Sequence, residues 1–156
     1  MSRKSDRKHA LCMVFHRDFN KDESTEDTLA YYLENFAEEG VSEMDFILQE
    51  IDGVFNNLNE IDQKIDETSS TWGISRISKV DLAIMRLAVY EILYADDIGD
   101  SVSINEAVEL AKTFSGEESG KFVNGILGQI VRKIRQEVGA EAEELPSETS
   151  AVAVEP

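Results

Sequence analysis

Apolar and polar residues alternate along the chain with the three-and-four-residue spacing of amphipathic α-helices. The first such pattern predicts a helix over residues 5–19. The second predicts a helix that begins at Thr25 or Asp27 and ends at Gly40, a residue suited to a left-handed helix end. The apolar stripes are Ala10, Leu11, Val14 and Phe15 in the first helix, and Leu29, Tyr32, Leu33, Phe36 and Ala37 in the second.

A longer apolar stripe follows and predicts one scaffold helix of five turns or more. It begins at Ser42, has an acid at Asp45 in the arrangement of a capping box, and continues to Ile65. The polar residues 66–71 then break the pattern, so we expect a boundary between two lobes there. The stripe consists of Ile47, Leu48, Ile51, Val54, Phe55, Leu58, Ile61 and Ile65.

The next predicted helix is apolar around nearly its whole circumference. A short connector over residues 72–77 leads to Ser78, which is expected to cap the helix, with Asp81 three residues later. Residues 82–93 are almost continuously apolar, and a helix of this kind is usually buried on every side. We therefore expect it to be the central helix of the second lobe.

Two further helices complete the predicted second lobe. Ser103 and Glu106 form a capping-box sequence that predicts a helix through Phe114. The last helix follows from residue 115, and the Glu-, Ala- and Ser-rich residues 139–156 are expected to be a disordered acidic tail. The last apolar stripe is Phe122, Val123, Ile126, Leu127, Ile130, Val131 and Ile134.

These patterns predict an all-α protein, because no segment shows the period-two alternation of a strand. The expected organisation is an N-terminal helical lobe over residues 1–70, a C-terminal helical lobe over residues 71–138, and the tail. The 156 residues contain 42% hydrophobic positions, enough for a core. No apolar run approaches the ~20 residues that span a bilayer, and the start does not resemble a signal peptide. We expect a cytoplasmic location.

Charge is distributed unevenly along the chain. The formal net charge of −17 opposes binding to a polyanion. However, Arg3, Lys4, Arg7 and Lys8 form i, i+4 pairs, and like charges at this spacing do not stabilise a helix. Charges act within about 8 Å at physiological salt, so a short basic segment can bind locally. This positive ridge is therefore either a solvent-exposed helix start or a binding site for nucleic-acid phosphates.

Residue patterns that support enzymatic or metal chemistry are missing from the sequence. His9 and His16 lie seven residues apart, which is not the i, i+4 spacing of a helical zinc site. No phosphate-binding glycine loop or nucleophile motif is present, and Cys12, the single cysteine, excludes an intramolecular disulfide. We therefore expect no enzymatic activity, no cofactor and no metal.

Two asparagines and three glycines stand inside the last two predicted helices, although these residues weaken helices. Asn105 and Asn124 are expected either to satisfy backbone or cross-helix hydrogen bonds or to contact RNA or a protein partner. Gly120, Gly125 and Gly128 indicate either close approach of two helices or a ligand against the backbone.

Four longer runs are more specific than helix formation requires. They are SINEAVELAK at residues 103–112, SGKFVNGIL at residues 119–127, RIxxVDxAIMRLAVYE at residues 76–91 and RxxALxxVF at residues 7–15. Together they resemble the NusB family of bacterial RNA-binding antitermination factors, and the resemblance extends from about residue 3 to residue 134.

The resemblance implies two three-helix lobes packed across each other. It implies binding to single-stranded boxA-like RNA of ribosomal RNA transcripts together with the ribosomal protein NusE, which helps RNA polymerase pass terminators. Phe15 and Asp81 match positions that face NusE, and Phe122 lies on the core stripe as well as at a family RNA position. The residues expected by resemblance to contact RNA are Arg3, Lys4, Arg7, Lys8, Lys121 and Phe122.

Other functions are compatible with the same sequence. The acidic net charge suits a helical protein–protein adaptor that does not bind RNA. NusB-like domains also occur in RNA cytosine methyltransferases, so the chain would act there with a separate catalytic polypeptide. Because some members of the family self-associate, both a monomer and a homodimer are compatible with the resemblance.

Overall fold

The computed structural model describes residues 3–36, 44–69 and 73–144, and within them the chain is all-helical, as predicted. The 3₁₀ turn Ile74–Arg76 precedes the fifth α-helix. The α-helices are α1 (Arg3–Asp18), α2 (Thr25–Phe36), α3 (Met44–Asn56), α4 (Leu58–Thr68), α5 (Lys79–Tyr94), α6 (Asp100–Phe114) and α7 (Glu117–Glu144).

Helix α5 lies at the centre of the molecule, as its continuous apolar sequence predicts. Every residue from Asp81 to Ile92 is buried, and the helix packs against α1, α3, α4, α6 and α7. The predicted cap is present, because the Ser78 hydroxyl accepts a hydrogen bond from the Asp81 backbone N–H at 3.2 Å. Since α5 contacts helices on both sides of the expected boundary, the division into two lobes stays a prediction.

The predicted long third helix is wrong, because the structure divides it into α3 and α4 at Asn57. The Asn57 backbone leaves the helical region (φ −124°, ψ 24°). Its side-chain amide donates to the Gly53 carbonyl at 2.8 Å, which is the acceptor that its own backbone N–H would use in a continuous helix. That N–H turns instead to the Val54 carbonyl at 3.3 Å. An asparagine that competes for a backbone acceptor therefore breaks the helix while the apolar stripe continues.

The predicted capping box of α6 is also wrong. The helix begins earlier, at Asp100, and Gly99 occupies the capping position without a side-chain hydrogen bond. Ser103 is buried inside the first turn, and its hydroxyl donates to Glu91 Oε1 at 2.8 Å. The sequence correctly indicates that Ser103 forms a hydrogen bond, but the acceptor is Glu91 on the central helix.

Helix α7 is longer than the sequence pattern predicts. It continues to Glu144, so residues 139–144 are helical and do not belong to the predicted tail. The rest of that tail, residues 145–156, and the predicted helix ends at Gly40 and Ser42 lie outside the described residues.

Candidate nucleic-acid and partner interface

Three cations of the first helical turns are exposed. Arg3, Lys4 and Lys8 reach solvent from α1, and we call these three residues the basic edge. The Arg3 guanidinium lies over the ring of Phe46 on α3, 3.9 Å from its centroid, which orients the side chain by a cation–π contact. Lys4 and Lys8 are one helical turn apart on the exposed side of α1.

Arg7 does not share this exposure, which corrects the predicted four-membered ridge. It is only 6% exposed, and its Nε and Nη2 atoms donate to the two carboxylate oxygens of Glu91, each at 3.1 Å. Helical spacing explains the difference. Arg7 lies three and four residues before the buried Ala10 and Leu11, so it belongs to the buried side of α1. Extending the apolar stripe of α1 by one turn toward the N-terminus would have predicted a buried position for Arg7.

A second buried carboxyl completes the surroundings of this ion pair. Glu50 on α3 is 2% exposed, and burial raises its pKa to about 10, assisted by the charge of Glu91 and a hydrogen bond to it. Glu50 is therefore protonated at neutral pH and donates to Glu91, while its Oε1 atom is buried without a hydrogen-bond partner among the described residues. Arg7, Glu50, Glu91 and Ser103 form a network that we call the buried acid network.

The start of α7 presents a second candidate contact surface. Lys121 is exposed, and Phe122 is 38% exposed, so Phe122 is not a member of the buried core stripe. Asn124 and Asn105 are exposed as well, so their amides do not have to be satisfied inside the protein. Lys121 lies 3.8 Å from Glu118, a pair of exposed charges that contributes little to stability.

The glycines of α7 have different explanations. A Cβ on Gly120 would lie 2.8 Å from the Lys112 side chain, so this glycine permits the close approach of α6 and α7. At Gly125 the same Cβ would meet nothing within 4 Å among the described residues. Packing therefore explains Gly120 and leaves Gly125 as an open position beside Phe122.

The basic edge and the start of α7 are not one continuous patch. Arg7 pairs with Glu91 near one end of α5, whereas Ser119 donates to Asp81 at the other end, at 3.1 Å. Asp81 and Glu91 are ten residue steps apart, which corresponds to about 15 Å of helix. One RNA segment would have to bridge this separation to meet both surfaces.

An apolar groove of about 450 Å³ continues the exposed side of α1 beyond the basic edge. Phe15 and Phe19 meet edge to face, with their ring centroids 5.1 Å apart, and Phe19 is 59% exposed. Large exposed aromatic side chains of this kind typify binding surfaces. We call this feature the aromatic groove, and its lining includes Phe15, His16, Phe19, Tyr31, Val80 and Phe114.

The two predicted partner residues occupy different positions. Phe15 lines the aromatic groove directly. Asp81 follows the groove residue Val80 but is itself buried, with Oδ2 accepting from Ser119. Its Oδ1 atom is buried and has no hydrogen-bond partner in the described part of the chain. Asp81 thus connects the rim of the groove to the start of α7 and does not project into solvent.

Neither a metal-binding cluster nor a membrane-spanning helix occurs among the described residues. In residues 3–36, 44–69 and 73–144, no group of three or more His, Cys, Asp or Glu side chains is arranged to hold a metal ion. None of the helices in these ranges combines the length and the apolar character that a membrane span needs.

Comparison with known proteins identifies a consistent set of relatives. The NusB family model matches residues 4–132. The transcription antitermination protein NusB of Acetivibrio thermocellus is 48% identical over 132 residues, which make up 85% of this chain and 90% of that protein. NusB of Clostridium acetobutylicum is 43% identical, over 84% of this chain and 96% of the relative. These relatives are named for antitermination and not for an enzymatic activity.

Solved structures give the same result for the fold. NusB of T. maritima matches with a TM-score of 0.74 and 36% identity, covering 85% of this chain and 92% of that one. A chain from a complex of the antitermination factors NusB and NusE with double-stranded RNA matches with a TM-score of 0.72 and 25% identity, covering 84% and 96%. The resemblance noted in the sequence is confirmed by these matches.

Proposed function

Because this chain belongs to the NusB family, we propose that it acts in the cytoplasm as an antitermination factor that binds boxA-type RNA of ribosomal RNA transcripts together with NusE. RNA polymerase carrying this assembly would read through terminators. The observation that carries the proposal is the position of the basic edge and the aromatic groove on successive turns of one helix, α1. RNA and a protein partner bound there would lie side by side.

The basic edge is suited to RNA phosphates. Lys4 and Lys8 are exposed one turn apart, and Arg3 is held beside them by Phe46. Their positive charge acts locally, because the Debye length of about 8 Å at physiological salt screens more distant acids. At the start of α7, Lys121 supplies a further cation and Phe122 an exposed ring on which an unstacked base can stack.

The aromatic groove is suited to a protein partner. Truncating a buried aromatic anchor of an interface often costs about 2 kcal/mol or more. Phe15, Phe19 and Phe114 line the groove, and a bound partner would bury them. The protein as a whole is strongly acidic, which complements a basic ribosomal protein and speeds its association. NusE is the partner we propose for this groove, with Asp81 supporting its rim.

A mobility-shift titration with single-stranded boxA RNA, performed with and without NusE, tests this function. We expect binding that tightens when NusE is present, because the RNA then contacts two proteins at once. A boxA duplex serves as a parallel probe, since the related NusB–NusE complex contains double-stranded RNA. Failure of the native chain to bind either RNA with NusE present would contradict the proposal.

Removing two groove aromatics tests the partner surface separately. The Phe15→Ala/Phe114→Ala double variant is expected to weaken NusE binding at least tenfold, because both side chains would be anchors. RNA binding in the absence of NusE should be retained. Val138→Ala, which truncates an exposed apolar residue of α7, is the control. Unchanged NusE affinity in the double variant would place the partner elsewhere.

A second function, a protein–protein adaptor without RNA affinity, is favoured by one observation. The net charge is −17, and the structure neutralises one of the five predicted RNA-binding cations, Arg7, with Glu91. In the titration above, NusE binding without any RNA binding would identify the adaptor.

A further inference from the structure

We propose that Arg7 is a positioning residue, whose buried ion pair with Glu91 fixes the first two turns of α1 so that Lys4 and Lys8 meet RNA, and that it contacts no phosphate itself. This inference rests on the proposed function for the identity of the ligand. It assigns Arg7 a role different from the phosphate contact that the family resemblance implies.

The first two turns of α1 have little apolar surface with which to hold themselves in place. No apolar residue occurs between Arg3 and His9, and the hydrophobic stripe begins only at Ala10. The usual source of helix docking, burial of an apolar face, is therefore weak here. Polar contacts have to determine where these turns lie. They are the ion pair of Arg7, the cation–π contact of Arg3 and the hydrogen bond between His9 and the Tyr32 hydroxyl, beside a buried Asp6.

The buried acid network has the geometry for this task. A bidentate guanidinium–carboxylate pair fixes orientation as well as distance, and here both oxygens of Glu91 are engaged at 3.1 Å. Glu91 is in turn held by Ser103 from α6 and approached by Glu50 from α3. Through Arg7, the RNA-binding end of α1 is thus tied to three other helices.

The same geometry argues against a direct RNA contact. To reach a phosphate, Arg7 would have to leave a site in which its side chain is 8% exposed and abandon Glu91, which is 2% exposed. Leaving a buried carboxylate without its partner is strongly unfavourable, whereas a solvent-exposed ion pair contributes little. Arg7 therefore stays with Glu91 when RNA binds.

Two conservative variants separate positioning from phosphate contact. Arg7→Lys keeps the positive charge but cannot form the bidentate pair, and Glu91→Gln keeps the shape but removes the negative charge. We expect each to weaken RNA binding about tenfold, in line with the coupling energies of contacting pairs. The dependence of affinity on salt should stay at the native slope. Lys8→Ala is the matched control. For this variant the slope of log affinity against log salt should fall in magnitude by about 0.7, the value for one phosphate of a single strand.

The opposite pattern would overturn the inference. If Arg7 contacts a phosphate, Arg7→Lys should retain most of the affinity and Glu91→Gln should bind as well as or better than the native chain. If Arg7 only stabilises the fold, neither variant should change the affinity of the folded protein. Circular dichroism and thermal unfolding establish the folded state of each variant. Should Glu91→Gln not fold, Arg7→Gln/Glu91→Gln removes both charges together, and reduced affinity at an unchanged native slope is again the expected result.

Amide hydrogen exchange tests positioning without RNA. In Arg7→Lys and Glu91→Gln, exchange over residues 3–9 should become faster, while α5 and α6 keep their native protection. Lys8→Ala should leave the exchange of residues 3–9 unchanged. Native protection of residues 3–9 in both network variants would overturn the inference, whereas a native chain that binds no RNA would overturn only the proposed function.

Discussion

Gly53→Ala is expected to lower the free energy of unfolding by about 2 kcal/mol, because α3 and α5 touch at this position. A Cβ on residue 53 would lie less than 3.0 Å from three atoms of the Tyr90 ring, a distance that Cβ atoms essentially never show. Tyr90 is itself buried, and its ring would have to shift to make room for the Cβ. Overpacking of this kind typically costs 1–3 kcal/mol and occasionally more, which outweighs the ~1 kcal/mol that alanine gains over glycine in a helix.

Urea denaturation measures this effect, and Gly125→Ala provides the matched control. The same substitution at Gly125 places a Cβ in open space, so it should raise stability by up to about 1 kcal/mol. Shrinking the neighbour should restore part of the loss, so Gly53→Ala/Tyr90→Leu is expected to be more stable than Gly53→Ala alone. A Gly53→Ala variant as stable as the native chain would show that α3 and α5 do not pack at this distance.

Glu50→Gln is expected to stabilise the protein increasingly as the pH rises above about 5. In the folded chain, burial raises the Glu50 pKa from 4.5 to about 10, so the folded state keeps a proton that the unfolded state releases above pH 4.5. Unfolding then releases a proton, and the native stability falls with rising pH through this window by about 1.4 kcal/mol per pH unit from this group. Glutamine has the shape of the protonated acid, still donates to Glu91 and does not titrate.

Comparing urea denaturation of the native and variant chains between pH 5 and pH 8 isolates this group. The two stabilities should be close at pH 5, and the variant should be more stable by several kcal/mol at pH 8. Glu109→Gln, which replaces an exposed acid of α6, should run parallel to the native chain. If Glu50→Gln also runs parallel, Glu50 is ionised in the folded state and its assignment as a proton donor is wrong.

The sequence was sufficient to predict the elements whose signals are local and redundant. The apolar circumference of residues 82–93 predicted a buried central helix, and Ser78 predicted its cap, and both were confirmed. The break at Asn57 and the real partner of Ser103 were not predictable in the same way. In both cases one polar side chain has two possible hydrogen-bond partners. The packing of the neighbouring helices determines which of them it uses.

In the candidate site, too, some features follow from local sequence and others depend on the packing of distant residues. Exposure of Lys4 and Lys8 follows from charge and helical spacing alone. For Arg7 the two signals conflict, since its charge favours solvent and its spacing from Ala10 favours the interior. Arg7 is buried because Glu91, 84 residues away in sequence, supplies a buried carboxylate as its partner. No local sequence pattern reveals this partner. The aromatic groove likewise joins α1, α2 and the ends of α5 and α6, which only the fold brings together.

Salt dependence of RNA binding is the most direct test of the claim that the exposed lysines of α1 contact RNA phosphates. For Lys4→Ala/Lys8→Ala, with the fold verified and NusE present, the slope of log affinity against log salt is expected to fall in magnitude by about 1.4, or 0.7 for each lost phosphate of a single strand. Lys64→Ala, on α4, should keep the native slope. An unchanged slope in the double variant would contradict RNA binding along the first turns of α1.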